Sequence, residues 1–160
     1  MIVKLRRWAK ELVFFVAVFI LITLWQQRNL LDNDIQAPNA SFVTLSGNTS
    51  PLYQPGKETL VYFFAPWCTF CDLSIANVEA VKNNREITLV ALDYQSVAEV
   101  SEFIERQGLD LPVLLGDSEL AVQYGVTMFP TYYLISEQGD IEGKSVGYST
   151  ELGLRARVAI

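Results

Sequence analysis

Cys68 and Cys71 are the only cysteines in a chain of 160 residues that contains no histidine. Thr69 and Phe70 separate them, giving the Cys-x-x-Cys spacing at which one sulfur attacks a disulfide and the other resolves the mixed disulfide that results. The attacking group must be a thiolate. A cysteine at a helix start gains from free backbone N–H groups and the positive end of the helix dipole, which hold its pKa below the usual ~8.5. The pair lies between Thr59–Ala65, a continuous apolar run that reads as a strand buried on both faces, and Asp72–Asn83, whose apolar positions fit a helix. Cys68, at the helix start, is then the exposed nucleophile, and Cys71, one turn in, the buried resolving thiol. A structural disulfide across so small a loop would constrain the unfolded chain little. A zinc site needs four ligands, and the partners for a half-site are missing here.

The remaining composition narrows the field. Without histidine, Ser-His-Asp and Cys-His catalysis are excluded. A net charge of −6 argues against a nucleic-acid binder, which needs a basic stripe to offset phosphates. With 51% apolar residues a packed core is expected, and the length allows one domain plus a short appendage. The charge is uneven: residues 1–36 carry a net +2 and residues 37–160 a net −8, so the two parts occupy different surroundings.

Leu12 to Trp25 has no charged side chain, and its one polar member is Thr23. Trp8 and Trp25 bracket it where amphipathic rings anchor a helix at the two interfaces of a bilayer. Lys4, Arg6, Arg7 and Lys10 precede it and Arg28 alone closely follows, a bias that keeps the amino terminus cytoplasmic. A cleaved signal peptide would show small residues after the apolar run, but the chain continues as Trp25-Gln26-Gln27-Arg28. A buried core helix would show a polar face, and this run has none. The Arg6-Arg7 pair reads as part of the positive flank rather than as a twin-arginine export signal. The expected organisation is a signal anchor over residues 1–28, a polar tether over 29–36 and one globular domain over 37–160.

The domain reads as strand Ser41–Leu45, strand Thr59–Ala65, the helix after the cysteines, strand Ile87–Leu92 and helix Val97–Gln107 stopped by Gly108. Strand Leu111–Leu115 follows, then a helix Glu119–Tyr124 with Ser118 as a cap. Thr131–Ile135 and Ile141–Val146 flank the turn Glu137-Gln138-Gly139-Asp140, and a last helix runs from Glu151 with Thr150 as a cap. That order specifies an α/β sandwich whose mixed sheet is parallel in the middle, with an antiparallel hairpin at one side.

The segment Phe64-Ala65-Pro66-Trp67-Cys68-Thr69-Phe70-Cys71 resembles the active-site signature of the thioredoxin superfamily, and Val126-Thr127-Met128-Phe129-Pro130-Thr131 resembles its second signature, the cis-proline loop. The anchor, the Ala37-Pro38…Phe42…Leu45…Gly47 start and the extra βα unit between the signatures are most similar to membrane-anchored redoxins of the TlpA/ResA type. The resemblance implies a thioredoxin-like three-layer sandwich with a central mixed sheet, preceded by one transmembrane helix. It also implies that the Phe129–Pro130 bond is cis, that the Phe129 backbone pairs with a substrate strand, and that Trp67 flanks the docking surface. Residues alone leave an ordinary trans proline and a core-packed tryptophan as the alternatives. Two positions depart from the pattern: Tyr62 and Ser74 stand where such proteins carry an acid that accepts the resolving thiol's proton. Asp72 and Asp93 are candidates for that role, each with a solvated surface acid as the plainer reading.

By this resemblance the chain is a thiol-disulfide oxidoreductase single-pass in the inner (cytoplasmic) membrane, its domain in the periplasm, reducing disulfides in client proteins. A transmembrane electron donor of the DsbD type would recharge it, and its own Cys68–Cys71 disulfide would serve with no metal or other cofactor. The absence of histidine between the cysteines favours a less oxidising protein. Alternatives are a disulfide oxidase or isomerase, and a non-catalytic redoxin-fold protein that holds a client. The 58 residues between Cys71 and Pro130 leave no room for the helical insertion of DsbA-type oxidants, and neither cysteine lies in the Pro-x-x-x-Thr/Ser-x-x-Cys segment of peroxiredoxins.

Overall fold

The structure, a computed structural model, describes residues 2–82 and 85–157; of residues 2–7, 9, 156 and 157 only the backbone is described. The side chains of Lys4, Arg6 and Arg7, the helix end expected at Asn83 and the last residues of the chain lie outside the described residues. In chain order the elements are α1 (Ile2–Gln27), β1 (Ser41–Val43), β2 (Thr49–Pro51), β3 (Thr59–Phe64), α2 (Thr69–Ser74), a 3₁₀ segment (Ile75–Val81), β4 (Glu86–Ala91), α3 (Val97–Gln107), β5 (Val113–Leu115), α4 (Ser118–Gln123), β6 (Thr131–Ile135), β7 (Ile141–Val146) and α5 (Glu151–Arg157).

All six residues of β3 are buried, which is why its sequence shows no polar alternation: both of its faces are covered. It lies at the centre of a five-stranded sheet of order β5-β4-β3-β6-β7. β3 and β4, and β4 and β5, are parallel; β6 is antiparallel to β3 and β7 antiparallel to β6. The mixed sheet is the expected one, and the hairpin after Ile135 occupies its side. On one face Leu60, Tyr62 and Phe64 pack with both cysteines, with Ile75 and Val78, with Val100 and Phe103 of α3 and with Leu154 of α5. On the other, Val61 and Phe63 pack with Leu120 and Tyr124 of α4 and with Leu30, Ala37, Leu52 and Tyr53 from the chain before β3.

Several boundaries differ from the sequence reading. The helix expected over 72–83 starts at Thr69, because Cys68 itself is the cap, and it tightens into 3₁₀ geometry after Ser74. Ser74 Oγ donates back to the Phe70 carbonyl at 2.7 Å, a side-chain bond that competes with the regular ladder and bends helices. Asp117, not Ser118, caps α4, its carboxylate accepting from Leu120 N at 2.8 Å. β1 forms a small separate sheet with β2, a strand hidden from sequence by its polar residues and Pro51. Helix α3 runs over the expected residues: Ser96 caps its start by accepting from Glu99 N, the Glu99 carboxylate accepts from Gln95 N just before the cap, and Gly108 lies in the left-handed region at its end.

Helix α1 spans about 39 Å at 1.5 Å per residue, more than the ~30 Å hydrocarbon core of a bilayer. Its stretch Lys10–Gln27 has a mean hydropathy of 1.5 and none of it is buried inside the protein. By length and composition it can cross a membrane. Arg28 closes at 5.2 Å over the ring of Trp25, the last residue of the apolar run.

Candidate active site

The cysteines are placed by the way β3 ends. Cys68 N donates to Ala65 O at 3.0 Å, a turn that Pro66 and Trp67 fill. Cys68 then takes an extended backbone (φ −80°, ψ 110°) as the N-cap of α2, and its Sγ accepts from Cys71 N at 3.1 Å. A sulfur in this position satisfies an N–H that the helix start would otherwise leave without a partner, and the same N–H favours negative charge on the sulfur. The two cysteines are joined as a disulfide with Cα atoms 5.2 Å apart. Cys71 is 0% exposed and Cys68 5%, so what access there is belongs to Cys68.

The second expected loop comes to the same end of the sheet. β3 ends at Phe64, and Phe63 pairs with Thr131, the first residue of antiparallel β6, so the loop before β6 emerges beside the cysteines. Its Phe129–Pro130 bond is cis, as the resemblance implies. Thr131 Oγ1 donates to Met128 O at 2.8 Å and Gly147 N to Pro130 O at 2.8 Å, which tie the loop to its own end and to β7. The Phe129 ring meets Trp67 edge-on at 5.9 Å, and the Trp67 indole donates to Asp93 O at 2.9 Å. Trp67 is nonetheless 60% exposed: it is a fixed surface ring, not a core residue. A cleft of about 550 Å³ opens beside Phe129, with Tyr94, Asp117 and Thr127 among its lining residues.

Phe70 and Leu73 are equally exposed and extend the apolar surface around Cys68. Leu73 is exposed because Cys71, Ile75 and Val78 occupy the buried stripe, and Leu73 lies off that i, i+4, i+7 row. Asp72, a candidate proton acceptor, is held at Oδ1 by Arg106 at 3.2 Å and Gln107 at 2.8 Å, both on α3. Arg106 was not singled out from sequence; with Asp72 it lines a small hollow of about 200 Å³ beside Cys68. Asp93, the other candidate, has a left-handed φ of 50° and gives its carbonyl to Trp67.

On the buried side of α2 there are hydroxyls. Ser74 is buried and shares a hydrogen bond of 3.1 Å with the hydroxyl of Tyr62, which the β3 pleat points into the cysteine-bearing core. Burial drives the Tyr62 pKa far above the ordinary phenol range, and the neighbouring Tyr132 adds to the rise, so Tyr62 stays neutral. Among the described residues no group of three or more histidine, cysteine or acidic side chains is placed to hold a metal.

Comparison with known proteins adds to this geometry. The model of the Redoxin family matches residues 33–156. The thioredoxin-like protein YneN of Bacillus subtilis is 33% identical over 124 residues, which cover 72% of this chain and 72% of that protein. The thiol-disulfide oxidoreductase ResA of Bacillus thuringiensis is 25% identical over 122 residues, 72% of this chain and 70% of its own. Among solved structures, a thiol:disulfide interchange protein of the thioredoxin family from Chlorobium tepidum superposes with a TM-score of 0.68 at 26% identity, covering 81% of this chain and 97% of that one.

Proposed function

The chain belongs to the redoxin family, and on that premise we propose that it is a thiol-disulfide oxidoreductase, held to a membrane by α1, that reduces disulfides in client proteins. The observation that carries this reading is the pairing of a capped, slightly accessible sulfur on Cys68 with a fully buried one on Cys71. In the reduced protein the Cys68 thiol gives its proton to solvent, and the N–H of Cys71 steadies the thiolate. The thiolate attacks one client sulfur; the client S–S bond breaks, and the departing sulfur takes up a proton. Cys71 then loses its proton and attacks Cys68 Sγ, releasing the second client thiol and closing the Cys68–Cys71 disulfide. Two electrons and two protons pass to the client. Trp67, Phe129 and cis Pro130 form the surface on which the client strand lies.

Regeneration requires two electrons from outside, which a transmembrane donor of the DsbD type would supply. The basic residues in the first turns of α1, ahead of its apolar run, support an amino terminus in the cytoplasm and a domain on the outer face of the cytoplasmic membrane, the periplasm of a two-membrane cell. No cofactor beyond the cysteine pair enters the cycle. The test is the redox state of the native protein in growing cells, acid-quenched and alkylated with a mass tag. A mostly reduced pair is expected, since electrons are delivered continuously; a mostly oxidised pair would make the protein a disulfide donor or a client-binding scaffold, and loss or retention of function in Cys68→Ser decides between those two.

A further inference from the structure

The residues after α1, though many are exposed, are tied to the domain at several points between Leu30 and Ala37. Leu30 N donates to Gln27 O, which closes the end of α1, and the Leu30 side chain enters the second core. Leu31 N donates to the hydroxyl of Tyr133 at 3.0 Å, and that hydroxyl donates to Tyr124 O. Lys144, its side chain 17% exposed, donates from Nζ to Leu31 O at 2.7 Å, with Leu30 O at 3.5 Å and Asp32 Oδ1 at 3.3 Å. Further along, Asp34 N bonds to Ile141 O, Ile141 N to Ile35 O and Ala37 N to Gly139 O, so the segment follows the β7 hairpin. Two glycines make room for it. A Cβ on Gly125 (φ +61°) would fall 1.8 Å from Asn29 O, and one on Gly139 (φ +92°) 2.6 Å from Gln36 Nε2. Gly125 is also where the loop to Phe129 and cis Pro130 begins, four residues or at most about 15 Å of chain away.

We propose that residues 29–37 are a docked strap that fixes the domain in one pose on its membrane helix, and that the active site is thereby presented to disulfides carried by proteins inserted in the same membrane. This rests on the exchange and anchoring readings above and adds the pose. A free linker of this length would wander over roughly 16 Å and let the domain meet clients in every orientation. The strap instead seats the end of α1 against the element that leads into the docking loop. A disulfide held near the bilayer then meets Cys68 at high effective concentration, and one in solution gains nothing from the arrangement.

The experiment uses the full chain in vesicles of phosphatidylcholine and phosphatidylglycerol. One disulfide peptide is offered in two forms, free in solution and displayed on a membrane-spanning helix. A Gly-Ser insertion of about ten residues after Arg28 frees the pose while leaving the strap and its contacts whole. It should leave exchange with the soluble peptide unchanged and slow exchange with the displayed one by about tenfold. A double variant, Lys144→Met with Tyr133→Phe, loosens the strap itself and should move the ratio the same way. Equal or faster exchange with the displayed peptide after the insertion would overturn the proposal. Absence of exchange with the soluble peptide in the unaltered chain would instead remove the exchange reading, and loss of the chain from the vesicles the anchoring reading; either takes the proposal with it.

Discussion

The hydroxyl of Tyr62 lies 3.1 Å from that of Ser74, and Ser74 passes its own proton to the Phe70 carbonyl at 2.7 Å. These are the positions at which the sequence lacks the acid such proteins carry, and the chain joins them as a neutral pair in the core that holds Cys71. None of the buried polar residues among those described is an aspartate or glutamate.

Thiol exchange should then follow thiol ionisation alone. The pH–rate profile is expected to carry thiol inflections alone and to keep them unchanged when Asp72 or Asp93 is replaced by asparagine. Tyr62→Phe should leave this profile in place and cost about 1 kcal/mol of stability, the worth of one hydrogen bond. An inflection that either substitution abolishes would show that an acid serves Cys71 after all.

Asp72→Asn separates a clamp from a base. The carboxylate is tied to Arg106 and Gln107, and both members of the ion pair are largely solvent-exposed. Such pairs contribute roughly 0.2–1 kcal/mol. The variant should lose at most that much stability and keep its exchange rate within about threefold. A loss of a hundredfold or more, the usual worth of a general base, would make Asp72 the proton acceptor.

Trp67→Ala should weaken client docking without touching the sulfur chemistry. The ring is held by Asp93 O and by Phe129 yet lies open to solvent. KM for a disulfide-bearing protein is expected to rise about tenfold while reaction with a small dithiol stays unchanged, and Trp67→Phe should restore part of the loss. An equal fall in both reactions would make Trp67 a support of the cysteine turn instead.

Alkaline pH should unfold the protein cooperatively. Burial raises the pKa of Tyr62, Tyr124 and Tyr133, with nearby tyrosines adding to the first two and a hydrogen bond from Leu31 offsetting part of the rise in the third. A raised folded pKa means that the native state holds protons the unfolded state releases above about pH 10, so this stabilisation is complete below that pH and lost above it. Denaturation midpoints should fall steeply above pH 10 together with the appearance of phenolate absorbance. Phenolate signal from all tyrosines without unfolding would contradict it.

The parts of this molecule governed by local pattern could be read in advance. The apolar run of β3, the helix from Val97 to Gly108 and the hairpin strands β6 and β7 all follow from periodicity and turn chemistry. The cysteine turn and the cis-proline loop were legible as motifs, and β3–β6 register brings them to one end of the sheet. What was hidden depends on distant partners. Ser74 breaks α2 because Tyr62 and Phe70 meet it there; Arg106 reaches Asp72 across 34 positions. The polar residues 29–36 look like free linker until Lys144, Tyr133 and Gly125 are seen against them.

The exchange chemistry is tested most directly by trapping. Cys71→Ser and Cys68→Ser versions of the full chain are incubated with a disulfide-bearing protein, quenched by acid and mapped by mass spectrometry. Cys71→Ser should accumulate a mixed disulfide between Cys68 and the client, because nothing resolves it, and Cys68→Ser should form none. A client adduct on Cys71 in the Cys68→Ser chain, with none on Cys68 in the other, would reverse the roles, and adducts in neither would contradict exchange through this pair.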